Sequence, residues 1–490
     1  MALQWSVSVL IAIGFALLVF YCLCHINYAL STTPPEVDKL VGEPWTEEKL
    51  KNAYEKYKQE RPDFRKHLPP KQARRYIVFG GSGLVGGWIV EHLIMRGQDP
   101  ATIRIADLQA PRRQYAVEKN VPYFQTDVTD PTSIARIFNH PWPAEASNLP
   151  LTVFHTVAYI HAGHRHPDLL PKYMQVNVDG TKNVIAASRV AGCDIFIATS
   201  SASIGIRPSK FIFPPWVKYP GTFVQFADNA EPEDLDGSLD QFAGCYAYSK
   251  AKAEKVVRNA DDKESGFRTG AIRPGHAIYG HGDENSNSVA YDYLRRGELL
   301  SWMGNLVVQF VSAQNVSLAH LIYEARIHSA NPDIGGKAYC VCDPSPPFRY
   351  SDLFRLFSTI VHPATPMRFH RVPPLVLMMI SYAVEAYVTI QRRYLGFLPE
   401  VKGDLQMLQP VMFSYLTLNI LYDDSLARKE LGYNPGYDTL EGLCEQVLEW
   451  NEAVEAKLAG GKEARNMRKD VQGTSFVEKT VPVASRGVAK

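Results

Sequence analysis

Tyr246 and Lys250 stand four residues apart in CYAYSKAKAE. On a helix that is about one turn, so the two side chains share a face. A phenol beside an ammonium is an arrangement for moving a proton. Tyrosine is a poor base at its free pKa of about 10, and a neighbouring positive charge favours the phenolate. Ser201, at the end of the apolar run DIFIATSS, offers a hydroxyl that can hold a substrate oxygen beside that phenol. A second register, Tyr248 with Lys252, has the same spacing. Tyr246 and Tyr248 would point to nearly opposite faces of a helix, so only one pair can serve.

The second constellation is FGGSGLVGG, which follows YIVF and opens a helix-like run. It satisfies G-x-G-x-x-G through Gly81, Gly83 and Gly86, and G-x-x-G-x-x-G through Gly80, Gly83 and Gly86. Glycines permit a tight turn and close approach of the backbone to a pyrophosphate, whose charge faces the helix N-terminus. Gly80, Gly81, Ser82, Gly83, Leu84, Val85 and Gly86 are therefore the expected phosphate-binding residues, with Tyr246 and Lys250 at the reactive end of the same dinucleotide. Asp107 ends IRIAD 21 residues after Gly86, where a carboxylate bonds the adenosine ribose and repels a 2′-phosphate. NAD is expected over NADP, although Arg112 and Arg113 keep NADP open. Asp127 and Val128, after the third strand, are expected near the adenine; the competing reading makes Asp127 a helix N-terminal residue before Pro131.

These residues need a scaffold. YIVF, IRIAD, VPYFQTD, LTVFHTVA, DIFIATSS and RTGAIRP read as six strands, separated by helical runs such as LVGGWIVEHLIMRG and YMQVNVDGTKNVIAASRVAG. That alternation predicts an α/β fold: a Rossmann-like, doubly wound parallel sheet with helices on both faces. The expected divisions are an N-terminal anchor over 1–35, a charged tether over 36–72 with one short helix, the dinucleotide-binding domain over 73–274, a smaller substrate-binding portion over 275–458, and a disordered tail over 459–490. Within the substrate-binding portion, 371–390 is apolar but holds Glu385, so it reads either as a second span or as an interfacial or substrate-lining helix.

Residues 5–23 are almost wholly apolar, and no charged residue precedes Glu36. That length suits a transmembrane helix, and the sequence lacks the basic start and cleavage site of a signal peptide. Lys39, Lys49, Lys51, Lys56, Lys58 and Arg61 follow the span, which puts the body of a single-pass protein in the cytosol. Lys and Arg number 52 against 51 Asp and Glu, so there is no electrostatic reason to expect nucleic acid. Seven scattered cysteines suit a reducing compartment better than a disulfide framework. Cys340 and Cys342 read as strand residues on one face. No metal is expected: the HAGHRH histidines (His161, His164, His166) match no familiar site and read as a polar loop near the substrate.

From about Tyr76 to Trp450 the chain resembles the extended short-chain dehydrogenases, and within them the 3β-hydroxysteroid dehydrogenase group. GGSGLVGG, VFHTVAY, VNVDGTKNV, ATSSAS, YAYSKAKAE, RPGHAIYGHGD and AQNVSLAH are similar to that group's motifs in the same order. The resemblance makes Asn177 the family's structural asparagine and Ser201 its catalytic serine, and Ser249 selects the Tyr246/Lys250 register over Tyr248/Lys252. His281 replaces the usual Pro and Gln314 the frequent Asp. The 45 positions from Ser201 to Tyr246 exceed the family's usual spacing, and the extra FIFPPWVKYPGTFVQF is expected to cover the substrate pocket. Within the group the chain is most similar to sterol-4α-carboxylate 3-dehydrogenases. The resemblance implies NAD-dependent oxidation of a sterol 3β-hydroxyl with decarboxylation, in the endoplasmic reticulum membrane. It also implies a sterol or steroid substrate, membrane lipid and other sterol C4-demethylation enzymes as partners, with homodimerisation open. A 3β-hydroxysteroid dehydrogenase/Δ5-isomerase, a terpenoid-pathway dehydrogenase and a non-catalytic NAD-binding scaffold are the alternatives.

Overall fold

The computed structural model describes residues 2–461 apart from 112, 162, 228–235, 283–288, 331, 402–404 and 406–407. Arg112 and the expected tail beyond 461 lie outside the described residues.

Arg75–Phe79 (β1) buries Tyr76 and Val78 on one face and Ile77 and Phe79 on the other. A strand apolar on both faces belongs inside a parallel sheet covered by helices. Six more strands join it: Ile103–Asp107 (β2), Tyr123–Gln125 (β3), Leu151–His155 (β4), Cys193–Thr199 (β5), Arg268–Pro274 (β6) and Ala338–Val341 (β7). Their order is β7-β6-β5-β4-β1-β2-β3, and every neighbouring pair is parallel. The direction of winding reverses between β1 and β4, which opens a crevice at their carboxyl ends, the usual cofactor position in such sheets.

Both faces are covered. Tyr76 and Val78 meet Ile89, Val90 and Leu93 of Leu84–Met95 (α1) together with Val316, Ala319 and Tyr323. Ile77 and Phe79 meet Ile134 and Ile137 of Pro131–Asn139 (α2), Val184 and Ile185 of Gly180–Val190 (α3) and Val257 of Cys245–Asn259 (α4). α2 starts where Asp130 accepts from the Thr132 amide, with Pro131 in the first turn.

The sheet does not stop at residue 274. Its seventh strand and the helix Ala313–Arg326 (α5), which carries Val316, Ala319 and Tyr323, come from the stretch expected to bind substrate. AYCV is only four residues long and lies far from the other strands in sequence, so periodicity alone does not tie it to them. Cys340 lies in this strand and Cys342 one residue beyond its end; both are buried.

The charged stretch after the N-terminal segment is folded rather than a free tether. Glu47–Gln59 is an amphipathic helix capped by Thr46, and it buries Leu50 and Tyr57. These join Trp45, Phe348, Leu353, Phe357, Leu443, Val447 and Trp450 in the core of the second lobe. The apolar residues sit at helical spacing among lysines and glutamates, so the charge of the segment hides its buried stripe.

At the N-terminus a helix runs from Ala2 to Ser31, with Leu10, Ile11, Phe15, Leu17 and Phe20 exposed. Among its described side chains those of Ile26, Ala29 and Leu30, in the last turns, are buried, against Leu377, Met378, Phe211 and Phe413. Among the described residues, Pro374–Arg393 is the second helix long and apolar enough to cross a membrane. It is partly buried, and its Glu385 is paired with Arg165. The FIFPPWVKYPGTFVQF segment packs at the base of the N-terminal helix: Phe211 and Phe223 are buried there, and the Val217 carbonyl meets His25 Nε2 at 2.7 Å.

Candidate active site

The glycine loop turns at the carboxyl end of β1 and leads into α1, with Gly83 at its N-cap. Gly80 has φ +79°, and a Cβ there would meet Thr156 Oγ1 at 2.5 Å. A Cβ on Gly86 would meet the Gly80 carbonyl oxygen at 2.2 Å. Both positions require glycine, one for its backbone conformation and both for closeness. The result is a cradle with bare backbone facing outward beside β4, which fits a pyrophosphate. Leu84 and Val85 form the first turn of α1.

Asp107 closes one side of this cradle. Its carboxylate accepts from the Ser82 amide at 3.1 Å and the Gln109 amide at 3.2 Å. Burial raises its proton affinity, and those backbone donors oppose the rise. Arg113 does not extend into this space as a free cation. It bonds Glu91 at 2.9 Å and the His281 carbonyl at 2.5 Å, and lies over the Trp88 ring. Asp127 is engaged locally: one oxygen accepts from the amide and the hydroxyl of Thr129, both at 2.8 Å. Helix α2 is capped by Asp130 instead, three residues on. Val128 is buried, and its side chain lies where a Cβ on Gly180 would fall.

Ser201 and Tyr246 come together although 45 positions separate them in the chain. Ser201 lies just past β5 and Tyr246 in the first turn of α4. Burial pushes the Tyr246 phenol up to about 12, and a hydrogen bond with Ser201 acts in the opposite direction. The Ser201 hydroxyl is held by Ser203 Oγ at 2.8 Å. Burial pulls the Lys250 ammonium down to about 8, opposed by the Glu254 carboxylate. Lys250 Nζ donates to the Thr199 carbonyl at 2.6 Å. In this geometry Ser201, rather than the ammonium, is the group that favours the phenolate. Tyr248 faces elsewhere: its ring packs on Phe242 and under Lys252, whose ammonium lies near Asp236.

Further groups support the site, and of these Glu254, His320 and Tyr415 had no role from the sequence. Glu254, one turn beyond Lys250, is fully buried and accepts from Arg273 Nε at 2.8 Å, Arg273 Nη2 at 2.5 Å and Ser200 Oγ at 2.6 Å. The i,i+4 spacing from Lys250 in YAYSKAKAE was the available signal. Asn177 Nδ2 donates to Ser249 Oγ at 2.9 Å, Ser249 Oγ donates to the Tyr246 carbonyl at 2.9 Å, and Asn177 Oδ1 accepts from the Tyr159 amide at 2.7 Å, which ties the start of α4 to the loop after β4. His320, from AQNVSLAH, bonds its own helix at the Val316 carbonyl and meets Thr199 Oγ1 at 2.8 Å, steadying the residue that holds Lys250. Tyr415 is buried near enough to Tyr246 for their charges to interact, and its ring lies 5.8 Å from that of His276. Nothing in local sequence linked Tyr415 to the site.

The histidine loop also reaches this region. His161 and His164 stack with ring centroids 3.8 Å apart, and Tyr173 Oη meets His164 Nδ1 at 3.1 Å. Among the described residues no group of three or more His, Cys, Asp or Glu side chains is placed to hold a metal.

The sequence profile of the 3-beta hydroxysteroid dehydrogenase/isomerase family matches residues 77–365. The chain is similar to a Homo sapiens protein named sterol-4-alpha-carboxylate 3-dehydrogenase, decarboxylating: 30% identical over 56% of this chain and 64% of that protein, just under two thirds of its length. A Schizosaccharomyces pombe protein of the same name is 25% identical over 76% of this chain and 96% of its own. A Mycobacterium tuberculosis protein named 3 beta-hydroxysteroid dehydrogenase/Delta 5-->4-isomerase is 27% identical over 76% of this chain and 89% of its own. Among solved structures, UDP-glucose 4-epimerase from Thermotoga maritima superposes with a TM-score of 0.51 at 17% identity, covering 77% of this chain and 99% of the epimerase. The epimerase from Stenotrophomonas maltophila, solved with bound NAD, gives 0.52 at 14% identity, covering 78% of this chain and 99% of its own. At those identities the likeness is one of fold.

Proposed function

Because the chain belongs to the 3-beta hydroxysteroid dehydrogenase/isomerase family, oxidoreductases that act on CH–OH groups, we propose that it oxidises the 3β-hydroxyl of a 4α-carboxysterol with NAD as cofactor. The observation that carries this reading is the juxtaposition of Tyr246 and Ser201, the latter just past the carboxyl end of β5 as the glycine cradle is past that of β1, in a chain whose relatives carry that name.

When bound, the nicotinamide supplies the hydride acceptor. The chain's own residues handle the proton and the substrate. Tyr246 Oη takes the proton of the substrate hydroxyl, and Ser201 Oγ holds that oxygen in place. Lys250, one turn from Tyr246 and held at the Thr199 carbonyl, is placed for the reactive end of the dinucleotide. Oxidation leaves a ketone β to the carboxylate. Such an acid loses CO2 unaided: the C–C bond breaks, its electron pair passes into the carbonyl as an enol, and a proton restores the ketone. No further catalytic group is required.

NAD is favoured over NADP because Asp107 stands at the glycine loop and Arg113 is committed to Glu91 and His281. The exposed apolar N-terminal helix suits a single-pass anchor, with the catalytic body on the cytosolic face of the endoplasmic reticulum. A lipophilic substrate that partitions into the bilayer matches that position. The similarity to the mycobacterial 3β-hydroxysteroid dehydrogenase/isomerase is what favours a plain hydroxysteroid as a second reading.

The test is purified full-length protein in nanodiscs with NAD and a 4α-carboxy-3β-hydroxysterol. Equal amounts of NADH and CO2 are expected. NADH formed only from hydroxysteroids without the carboxylate would replace this reading with the second one. Cofactor binding without turnover of any 3β-hydroxysterol would make the protein a scaffold.

A further inference from the structure

If the substrate is an acid, as the proposed function holds, its carboxylate needs a partner within a few ångströms of Tyr246. The loop after β4 supplies one side of that space. The His164 carbonyl accepts from the Cys245 amide at 2.9 Å, so this loop lies directly against the residue before Tyr246. Tyr173 Oη binds it from the other side, donating to the His161 carbonyl at 2.7 Å and meeting His164 Nδ1 at 3.1 Å. The two imidazoles are thereby fixed in a stack, 3.8 Å between centroids and 13° between planes. His161 Nδ1 is buried with no partner outside its own residue among the described residues. Burial pulls both rings below the usual histidine value, His164 to about 3, which favours the neutral forms. Because the Tyr173 hydrogen goes to the His161 carbonyl, His164 donates to Tyr173 through Nδ1, and the ring N–H left for a ligand is that of His161.

A positive charge comes from the apolar helix Pro374–Arg393. Its C-terminal half is strapped onto the histidine loop at two points. Arg165 binds Glu385 through two bonds of 2.6 and 2.5 Å, and Arg393 Nε meets Asp168 Oδ2 at 3.1 Å. Those straps occupy two of the three arginines here with carboxylates. Arg392 has no carboxylate partner among the described residues, and it lies on the side of the helix that faces Tyr159, His161 and His164, within electrostatic range of all three. It lies seven residues after Glu385, on the same helical face.

We propose that Arg392, together with the stacked His161 and His164, forms the subsite that receives the substrate's carboxylate and so sets the preference for an acidic sterol. A guanidinium matches a carboxylate with two parallel hydrogen bonds, and the neutral His161 ring adds one more donor, with His164 stacked behind it. The carboxylate is thus held on one side of the ring while Tyr246 works on the adjacent hydroxyl. The straps explain why a surface arginine can serve: they fix the end of the helix over the loop.

The experiment compares two substrates on full-length protein in nanodiscs: a 3β-hydroxysterol with a 4α-carboxylate, and the same sterol with a 4α-methyl group. Arg392→Gln is expected to raise KM for the acid about 10- to 100-fold more than for the methyl analogue, the worth of one charged hydrogen-bonded contact, with kcat for the acid changing far less. Arg392→Lys should recover part of that loss. An equal effect on both substrates, or on neither, overturns the subsite. A wild-type enzyme that does not prefer the acid overturns it too, but at the wild-type stage, and there the proposed substrate class falls with it.

Discussion

Glu254→Gln is the substitution whose consequences follow most directly from the buried geometry. Glu254 and Arg273 have side chains 0% and 2% exposed, and the carboxylate takes both the Nε and Nη2 hydrogens as well as the Ser200 hydroxyl. Gln keeps the shape but removes the charge, leaving a guanidinium buried without its counter-ion. Breaking a buried pair from one side costs about 3–5 kcal/mol. Unfolding entropy of ~2.1 cal/mol/K per residue over roughly 450 residues is ~0.9 kcal/mol/K, so Tm should fall by about 3–5 °C. Circular dichroism melts of the detergent-solubilised protein would measure it. Burial raises the proton affinity of Glu254, but Arg273 and Ser200 outweigh that and leave it below its ordinary 4.5. A depressed carboxyl stabilises above its unfolded value, and that contribution fades as pH falls through the folded one. The gap between wild type and variant should therefore narrow below pH 4.5. Replacing both partners, Glu254→Leu with Arg273→Met, should recover much of the loss, because no charge is then stranded. A Tm drop under about 1 °C for Glu254→Gln, or a double variant no better than the single, would refute the account of this pair.

Other outcomes follow from the same geometry. Tyr246→Phe should lower kcat by about 10²- to 10⁴-fold with cofactor binding retained, while Tyr248→Phe should stay within a few-fold; steady-state NADH formation beside a nucleotide titration separates the registers. Lys250→Met should abolish turnover yet raise Tm at pH 7. Burial holds that ammonium near 8 against an ordinary 10.5, so the folded state carries a cost of up to about 3 kcal/mol that is full below 8 and relieved by 10.5. Melts across that range should show the gain shrinking with pH, and no gain at pH 7 would contradict the burial argument. Gly86→Ala places a methyl 2.2 Å from the Gly80 carbonyl and should weaken nucleotide binding at least about 10-fold, read by quenching of protein fluorescence.

How much of the molecule was legible in advance depends on the range over which each feature acts. The glycine loop, the Tyr246/Lys250 spacing and six of the seven strands are local patterns, governed by one turn or one strand of backbone, and the chain displays them directly. Asp107 reads the same way, because β2 must end beside the loop that ends β1. Asp127 shows the limit of such reading: a carboxylate after β3 can serve a cofactor or its own turn, and Thr129 takes it for the turn.

Other features belong to the fold alone. The seventh strand, the packing of Glu47–Gln59 into the second lobe and the approach of Tyr415 to Tyr246 join segments distant in sequence, so no local periodicity reports them. The sign of an electrostatic effect is also tertiary. From spacing, Lys250 should lower the Tyr246 pKa; in the folded chain burial raises it, Ser201 opposes that rise, and the ammonium turns to the Thr199 carbonyl. Sequence by itself determined which groups could do the chemistry, because residue type and helical spacing are local properties. Only the tertiary structure decided how strongly each holds its proton, because that depends on how much water the rest of the chain excludes from around it.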